Sequence, residues 1–70
     1  MTKTFELNGA EFIELNKLLK LLRMVGSGAE ANIHIENGEI LVNGVVETRK
    51  RNKLRTGDIV LFKGKTIVIR

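Results

Sequence analysis

The chain has 70 residues, a formal net charge of +4, no cysteine and one histidine. This composition excludes disulfides and a four-ligand zinc site, so we expect a single small domain, residues 1–70, that depends on its apolar core and has no cofactor or metal. The first residues lack the apolar region of a signal peptide, and no stretch approaches the roughly 20 apolar residues of a membrane span. Together with the absence of cysteine, these features predict a cytoplasmic protein that does not enter a membrane.

The charge is divided unevenly along the chain. Residues 1–48 carry four basic and seven acidic groups, whereas residues 49–70 carry eight basic groups and one acidic group. The first part therefore has a net charge of −3 and the second a net charge of +7. A module that meets a polyanion on one side is expected to have this distribution.

In the first third of the chain, the sequence pattern predicts a short strand over Thr4–Leu7 and a helix over Ala10–Arg23. Apolar residues recur along this helix at three- and four-residue steps and form one broad stripe. Ile13 and Leu21 fall outside the stripe. Either the domain wraps this helix on more than one side, or these two residues form a partner surface. The stripe consists of Phe12, Leu15, Leu18, Leu19 and Leu22.

Local signals define the middle of the chain more sharply. Ser27 and Glu30 have the spacing of a capping box, which predicts the start of a second helix, and Gly38 is placed to end it. Asn43-Gly44 predicts a tight hairpin turn. The elements expected around these signals are a strand with Ile40 and Val42 on one face, a return strand that begins at Val45-Val46, a core anchor at Leu54, a turn over 56–58, and strands Ile59–Phe62 and Thr66–Ile69. These elements predict an α+β fold with a two-helix corner packed on a small, mostly antiparallel sheet.

A basic run follows the hairpin and places five positive charges within seven residues. In an extended segment, alternate side chains share a side, which would put four of the five on one surface. A polyanion would relieve their mutual repulsion, although a solvated loop is the ordinary alternative. The run consists of Arg49, Lys50, Arg51, Lys53 and Arg55.

The aromatic content restricts the kind of nucleic acid. There is no Trp or Tyr, and Phe5, Phe12 and Phe62 all lie in apolar patterns. Binders of single strands need exposed rings on which bases stack, so structured RNA is the better candidate. For reading base edges of DNA, the second helix offers only Asn32 and Asn37, which argues against sequence-specific DNA binding.

Other motifs have simpler explanations. Gly26-Ser27-Gly28 precedes a helix and could bind an anion, but the capping box already uses some of those backbone donors. Gly64-Lys65-Thr66 resembles the end of a phosphate-binding loop, but Ile59 stands where that loop begins with glycine, which indicates a hairpin turn. His34 has no cysteine partner and lies within a predicted helix. We therefore predict that the protein is not an enzyme.

The spacing of these signals resembles the ribosomal-protein-S-four-type RNA-binding domain, also called the alpha-L motif, over about residues 10–62. The resemblance is closer still to a small stand-alone bacterial group, the YbcJ-like group. It implies binding of structured RNA, often ribosomal or transfer RNA, through the two-helix corner and the adjoining basic residues. Gly28 and Asn32 depart from the pattern, because relatives commonly have Arg and Lys there. The matching segments are Ser27-x-x-x-Ala31-x-x-x-Ile35-x-x-Gly38-x-Ile40-x-Val42-Asn43-Gly44, Leu54-x-x-Gly57-Asp58, LLKLL, and Glu47-Thr48-Arg49-Lys50-Arg51.

Our leading hypothesis is therefore a non-catalytic module that binds structured RNA, with ribosome association as its expected setting. A protein-interaction module, using Ile13 and Leu21 or the acidic N-terminal part, and a DNA-binding accessory protein are the alternatives. We expect a monomer with no membrane partner and no small-molecule substrate. The predicted RNA-binding residues are Lys20, Arg23, Ser27, Gly28, Arg49, Lys50, Arg51, Lys53 and Arg55.

Overall fold

The computed structural model describes residues 2–70, which form two helices and seven short strands. The predicted α+β class is confirmed. In chain order the elements are β1 (Thr2–Phe5), β2 (Ile13–Glu14), α1 (Leu15–Leu21), α2 (Gly28–Glu36), β3 (Ile40–Val42), β4 (Val45–Val46), β5 (Lys53–Leu54), β6 (Ile59–Phe62) and β7 (Lys65–Ile69).

Five strands form one sheet in the order β1-β7-β6-β3-β4. All neighbours pair antiparallel except β1 and β7, which are parallel. Strands β2 and β5 form a separate antiparallel pair in which Ile13 lies opposite Leu54 and Glu14 opposite Lys53. This small second sheet determines where the basic run lies.

The core is built from one side of the large sheet and the facing sides of both helices. Alternate residues of β6 show the pattern, since Val60 and Phe62 are buried whereas Ile59 and Leu61 are exposed. The fully buried Ala31 of α2 is small, which favours close approach between the helices. The buried residues are Ile13, Leu15, Leu18, Leu19, Val25, Ala31, Ile35, Ile40, Leu54, Val60, Phe62, Ile67 and Ile69.

Helix α2 begins and ends where the sequence predicts. The Ser27 hydroxyl accepts a hydrogen bond from the Glu30 N–H (3.1 Å), and the Glu30 carboxylate accepts one from the Gly26 N–H (2.9 Å). At the other end Gly38 adopts φ +77° and its N–H donates to the Ile35 carbonyl (3.0 Å). A left-handed glycine cap of this kind satisfies carbonyls that the helix leaves without partners.

The hairpin between β3 and β4 is also as predicted. Asn43 and Gly44 both have positive φ, +53° and +82°, as a type I′ turn requires. The Asn43 amide donates to the Asp58 carboxylate (3.0 Å) and accepts from the Ile59 N–H (2.9 Å). The hairpin is thereby fixed to the turn before β6.

Two predicted boundaries are wrong. The first helix was expected over Ala10–Arg23, but α1 spans Leu15–Leu21, because Ile13 and Glu14 pair with β5 before the chain turns helical. The first strand was expected over Thr4–Leu7, but β1 spans Thr2–Phe5, where it pairs with β7 along its whole length. Ile13 belongs to the small sheet and is buried on its inner face, which explains why it lies outside the helical stripe.

Candidate nucleic-acid interface

The basic run is attached to the start of α1 through its backbone. The Leu15 N–H donates to the Asn52 carbonyl (2.9 Å) and the Asn16 N–H donates to the Lys50 carbonyl (3.0 Å). The first N–H groups of a helix have no partner within the helix, and the Glu14 side chain makes no capping hydrogen bond here. The carbonyls of the basic run therefore supply the cap of α1.

The prediction that four cations share one side of an extended segment is wrong. The Asn52 N–H donates to the Arg49 carbonyl (3.1 Å), which closes a tight turn over Lys50 and Arg51. Within residues 49–55, only Lys53 and Leu54 are in a strand. The turn forms because its carbonyls have to face the two free amides of α1, and an extended segment would point half of them away.

Two adjoining depressions nevertheless bring several predicted residues together. Lys20, Gly28 and Arg51 line one depression of about 480 Å³. Arg49, Arg51 and Lys53 line a second of about 470 Å³. Because Arg51 lines both, we treat them as one surface and call it the basic groove. Its full lining is Glu14, Asn16, Lys17, Lys20, Leu21, Gly28, Arg49, Arg51, Asn52 and Lys53.

Two cations of the basic run are paired with carboxylates. Arg49 binds Glu47 through two side-chain hydrogen bonds, Nε to Oε2 (2.9 Å) and Nη2 to Oε1 (3.0 Å). This pairing lowers the pKa of Glu47 and raises that of Arg49. Lys50 Nζ lies 3.1 Å from Glu36 Oε2, and both of these side chains are about half exposed. Exposed pairs of this kind contribute little to stability and can exchange partners.

The remaining cations near the helix corner are not neutralised in this way. Among residues 2–70, the only basic side chains within ion-pair distance of a carboxylate are those of His34, Arg49 and Lys50. Glu14 also lines the groove, but no ion pair joins it to these cations, so their charges contribute to the positive potential of the groove. The cations concerned are Lys17, Lys20, Arg23, Arg51, Lys53 and Arg55.

Four of the predicted residues do not line the groove. Ser27 is occupied as the cap of α2, and Arg23 lies in the turn after α1 with φ +57°. Lys50 turns towards Glu36, and the Arg55 guanidinium lies 5.7 Å from the centre of the Phe12 ring. The helix corner and the basic run are thus adjacent, but the surface they share includes only five of the nine predicted residues.

Sequence reasoning missed Lys17 and Asn16. Lys17 lies one helical turn before Lys20, and this i, i+3 spacing was the available signal. The Asn16 amide donates to the Asn32 side-chain carbonyl (3.1 Å) and so joins α1 to α2. Asn32 therefore has a structural role in joining the two helices.

The two candidate residues for a protein-partner surface, Ile13 and Leu21, differ in their exposure to solvent. Ile13 is only 7% exposed, so it belongs to the core and offers no partner surface. Leu21 is 56% exposed and lies within the lining of the basic groove. The explanation that the domain wraps this part of the chain is correct for Ile13 alone.

Residues 2–70 contain neither a carboxylate- or imidazole-based metal cluster nor a membrane-spanning helix. Within the described part of the chain, residues 2–70, no three His, Cys, Asp or Glu side chains come close enough together to hold a metal ion. Neither α1 nor α2, the helices of that same range, has the length and apolar character needed to cross a bilayer.

A two-helix corner beside a short hairpin and a basic groove is the arrangement of an S4 domain. The chain belongs to the S4 domain family, whose model matches residues 5–70. It is 44% identical over 66 residues to "Putative RNA-binding protein YbcJ" of Escherichia coli (strain K12), with 94% of each chain covered. It is 37% identical over 54 residues to "Probable ribosome maturation protein RlbA" of Bacillus subtilis (strain 168), covering 77% of this chain and 76% of that one.

The structural comparison agrees with the sequence comparisons. The solution structure of YbcJ from E. coli, described as revealing an alpha-L motif involved in RNA binding, matches with a TM-score of 0.72. The match covers 94% of this chain and 84% of that chain at 44% identity. The resemblance inferred from the sequence pattern is therefore confirmed.

Proposed function

We propose that residues 1–70 act as one non-catalytic domain that binds structured RNA through the basic groove. The observation that carries this proposal is the placement of Lys17, Lys20 and Arg51 around one depression with no carboxylate paired to them among residues 2–70. Phosphate groups are the natural counterions of such a cluster. The names of the relatives support the same class of ligand.

The composition of the groove favours a folded RNA over a fully single-stranded one. Its lining holds five cations, one carboxylate (Glu14), two asparagines, Leu21 and Gly28, but no aromatic side chain. Proteins that bind single strands stack successive bases on aromatic rings, whereas folded RNA is recognised largely through phosphates and shape. The groove therefore suits the phosphate backbone of a helical or looped RNA.

We propose ribosomal RNA as the natural ligand and the cytoplasm as the location. The support is the relative named as a probable ribosome maturation protein, which covers most of this chain. Transfer RNA is the main competitor, and duplex DNA of equal length is a second. Competition between labelled ribosomal RNA hairpins and these two ligands at physiological salt separates the three.

The salt dependence of binding tests the proposal directly. If four phosphates are neutralised, the slope of log affinity against log salt is roughly −3 to −4. Changing Arg49, Lys50 and Arg51 together to Ala is expected to weaken binding more than tenfold, because the charge-assisted contact of Arg51 and the attraction of two further positive charges are lost. The matched control changes Lys63, Lys65 and Arg70 to Ala, which removes the same charge from residues outside the groove.

Two outcomes would contradict the proposal. An affinity that does not change with salt would exclude a phosphate-directed interface. Equal losses in the two triple variants would show that net charge, and not the groove, determines binding. Circular dichroism of each variant establishes that it is folded, and the recovered RNA should be uncleaved.

A further inference from the structure

Phe12 lies on the outer face of the small β2–β5 sheet. Ile13 and Leu54 pair across this sheet and are both buried. Because successive side chains of an extended chain point to opposite faces, Phe12, just before β2, and Arg55, just after β5, lie on the other face. Lys53 and its cross-strand neighbour Glu14 share that face. The sequence pattern assigned Phe12 to the core, but its side chain is only partly buried. The partly buried apolar residues that pack on the core are Phe5, Leu7, Leu22, Met24 and Val42.

Two cations lie against the Phe12 ring. Lys53 Nζ is 5.0 Å from the ring centre and the Arg55 guanidinium carbon is 5.7 Å from it. Cations at these distances are attracted by the ring and increase the positive potential around it. An aromatic surface is thus surrounded by the charge that attracts phosphate.

Phe12 also lines an apolar depression of about 430 Å³ with Phe5, Leu7, Ala10 and Ile13. Its remaining lining residues are Glu14 and Lys17, which line the basic groove as well. The apolar depression therefore adjoins the basic groove at Glu14 and Lys17. A chain of phosphates following the groove would pass its edge.

We propose that an unpaired nucleobase of the bound RNA enters this depression and stacks on Phe12, with the flanking phosphates held by Lys17 and Lys53. The inference rests on the proposed RNA-binding function and adds a specific element to it. The folded part of the RNA lies in the basic groove, and one base displaced from a bulge or loop occupies the apolar depression. A nucleobase is flat, has a π face and is linked through its ribose to the phosphate backbone, which matches an apolar site rimmed by cations.

The test compares two RNA hairpins that differ only in one unpaired nucleotide. Replacing a stacking aromatic residue lowers affinity by roughly 5- to 100-fold per base. We therefore expect Phe12→Leu to weaken binding of the bulged hairpin by this factor and to change binding of the fully paired hairpin by less than about twofold. Phe12→Tyr keeps the ring and should retain the wild-type affinity for both.

A second measurement does not depend on the variants. In the wild-type complex with the bulged hairpin, nuclear Overhauser effects should connect the Phe12 ring protons to protons of the unpaired base. Their absence would overturn the inference. This measurement still decides the question if Phe12→Leu fails to fold.

The binding results separate this inference from the proposed function. An equal loss on both hairpins would mean that Phe12 only positions Lys53 and Arg55, and no loss on either would mean that no base stacks there or that another molecule occupies the depression. Either result would overturn the stacking inference while RNA binding stands. If the wild-type protein binds neither hairpin in a salt-dependent way, the proposed function itself is wrong.

Discussion

Arg49 and Arg51 carry the same charge two positions apart, but their surroundings differ. Arg49 is held by two hydrogen bonds to Glu47. Arg51 lines both parts of the basic groove, and no carboxylate is paired with it among residues 2–70. We therefore predict that Arg51→Ala weakens RNA binding more than Arg49→Ala does.

The expected size of the difference follows from these contacts. Both substitutions remove one positive charge, so the long-range attraction lost is the same. Only Arg51 is poised to donate directly to phosphate, and a hydrogen bond to a charged group contributes about 1.5–3 kcal/mol. This corresponds to a roughly 10- to 100-fold lower affinity for Arg51→Ala. To bind phosphate, Arg49 has to give up its hydrogen bonds to Glu47, and their loss offsets most of the binding free energy gained from the phosphate contact.

Fluorescence anisotropy of a labelled ribosomal RNA hairpin, titrated at several salt concentrations, measures both effects. Arg51→Ala should reduce the salt slope by about 0.9, the value expected for one lost phosphate contact, and Arg49→Ala by clearly less. Thermal unfolding followed by circular dichroism checks that both variants remain folded. Equal slopes and equal affinities for the two variants would refute the argument from their surroundings.

Three further predictions follow from single positions. Gly28→Arg should tighten RNA binding and steepen the salt slope by about 0.9, because a Cβ atom added there meets no heavy atom within 4 Å outside the adjoining chain. Gly28→Glu should do the reverse in the same titration. Gly38→Ala should lower the free energy of unfolding by about 1–2 kcal/mol, since φ is +77° there, and a urea midpoint that stays in place would contradict this. The pKa of Glu47 is lowered from 4.5 in the folded state, so its contribution to stability is complete above pH 4.5 and is lost as the pH falls through the lowered pKa. The difference in stability between wild type and Glu47→Gln should therefore shrink in acid, and a difference that is constant with pH would exclude this coupling.

The features predicted correctly from the sequence are those set by neighbours in the chain. The capping of α2 by Ser27 and Glu30, the left-handed Gly38 and the Asn43-Gly44 turn each depend on residues within four positions. Residue types and their spacing directly determine short-range geometry of this kind. These signals were also enough to establish the fold class.

The start of α1 could not be predicted in the same way. Phe12 fits the helical apolar spacing of Leu15, but in the fold the next residue, Ile13, pairs with Leu54, which lies far along the chain. Periodicity within a window contains no information about such a partner, and tertiary pairing overrides local preference. The same distant contact places Lys53 and Arg55 beside Phe12 and so moves that ring out of the core pattern.

The candidate site was predicted in composition but not in shape. The density of charge after the hairpin identified Arg49, Arg51 and Lys53, which do line the groove, but not the turn that redirects Lys50. The turn exists because α1 needs acceptors for its first amides, and that requirement was invisible while the helix start was misplaced. One error in a boundary therefore led to the error in the site.

The basic groove is held in place by groups that take no part in the proposed binding. Its turn is fixed by hydrogen bonds from the Leu15 and Asn16 amides, and its strand is anchored by the buried Leu54. Neither support uses a cationic side chain, so the cations can change without loss of the turn. The groove is also formed before any ligand arrives, and binding then costs little ordering of the backbone. Affinity and stability should therefore vary independently at Arg51, whereas any change that removes the backbone contacts of the turn with α1 should affect both.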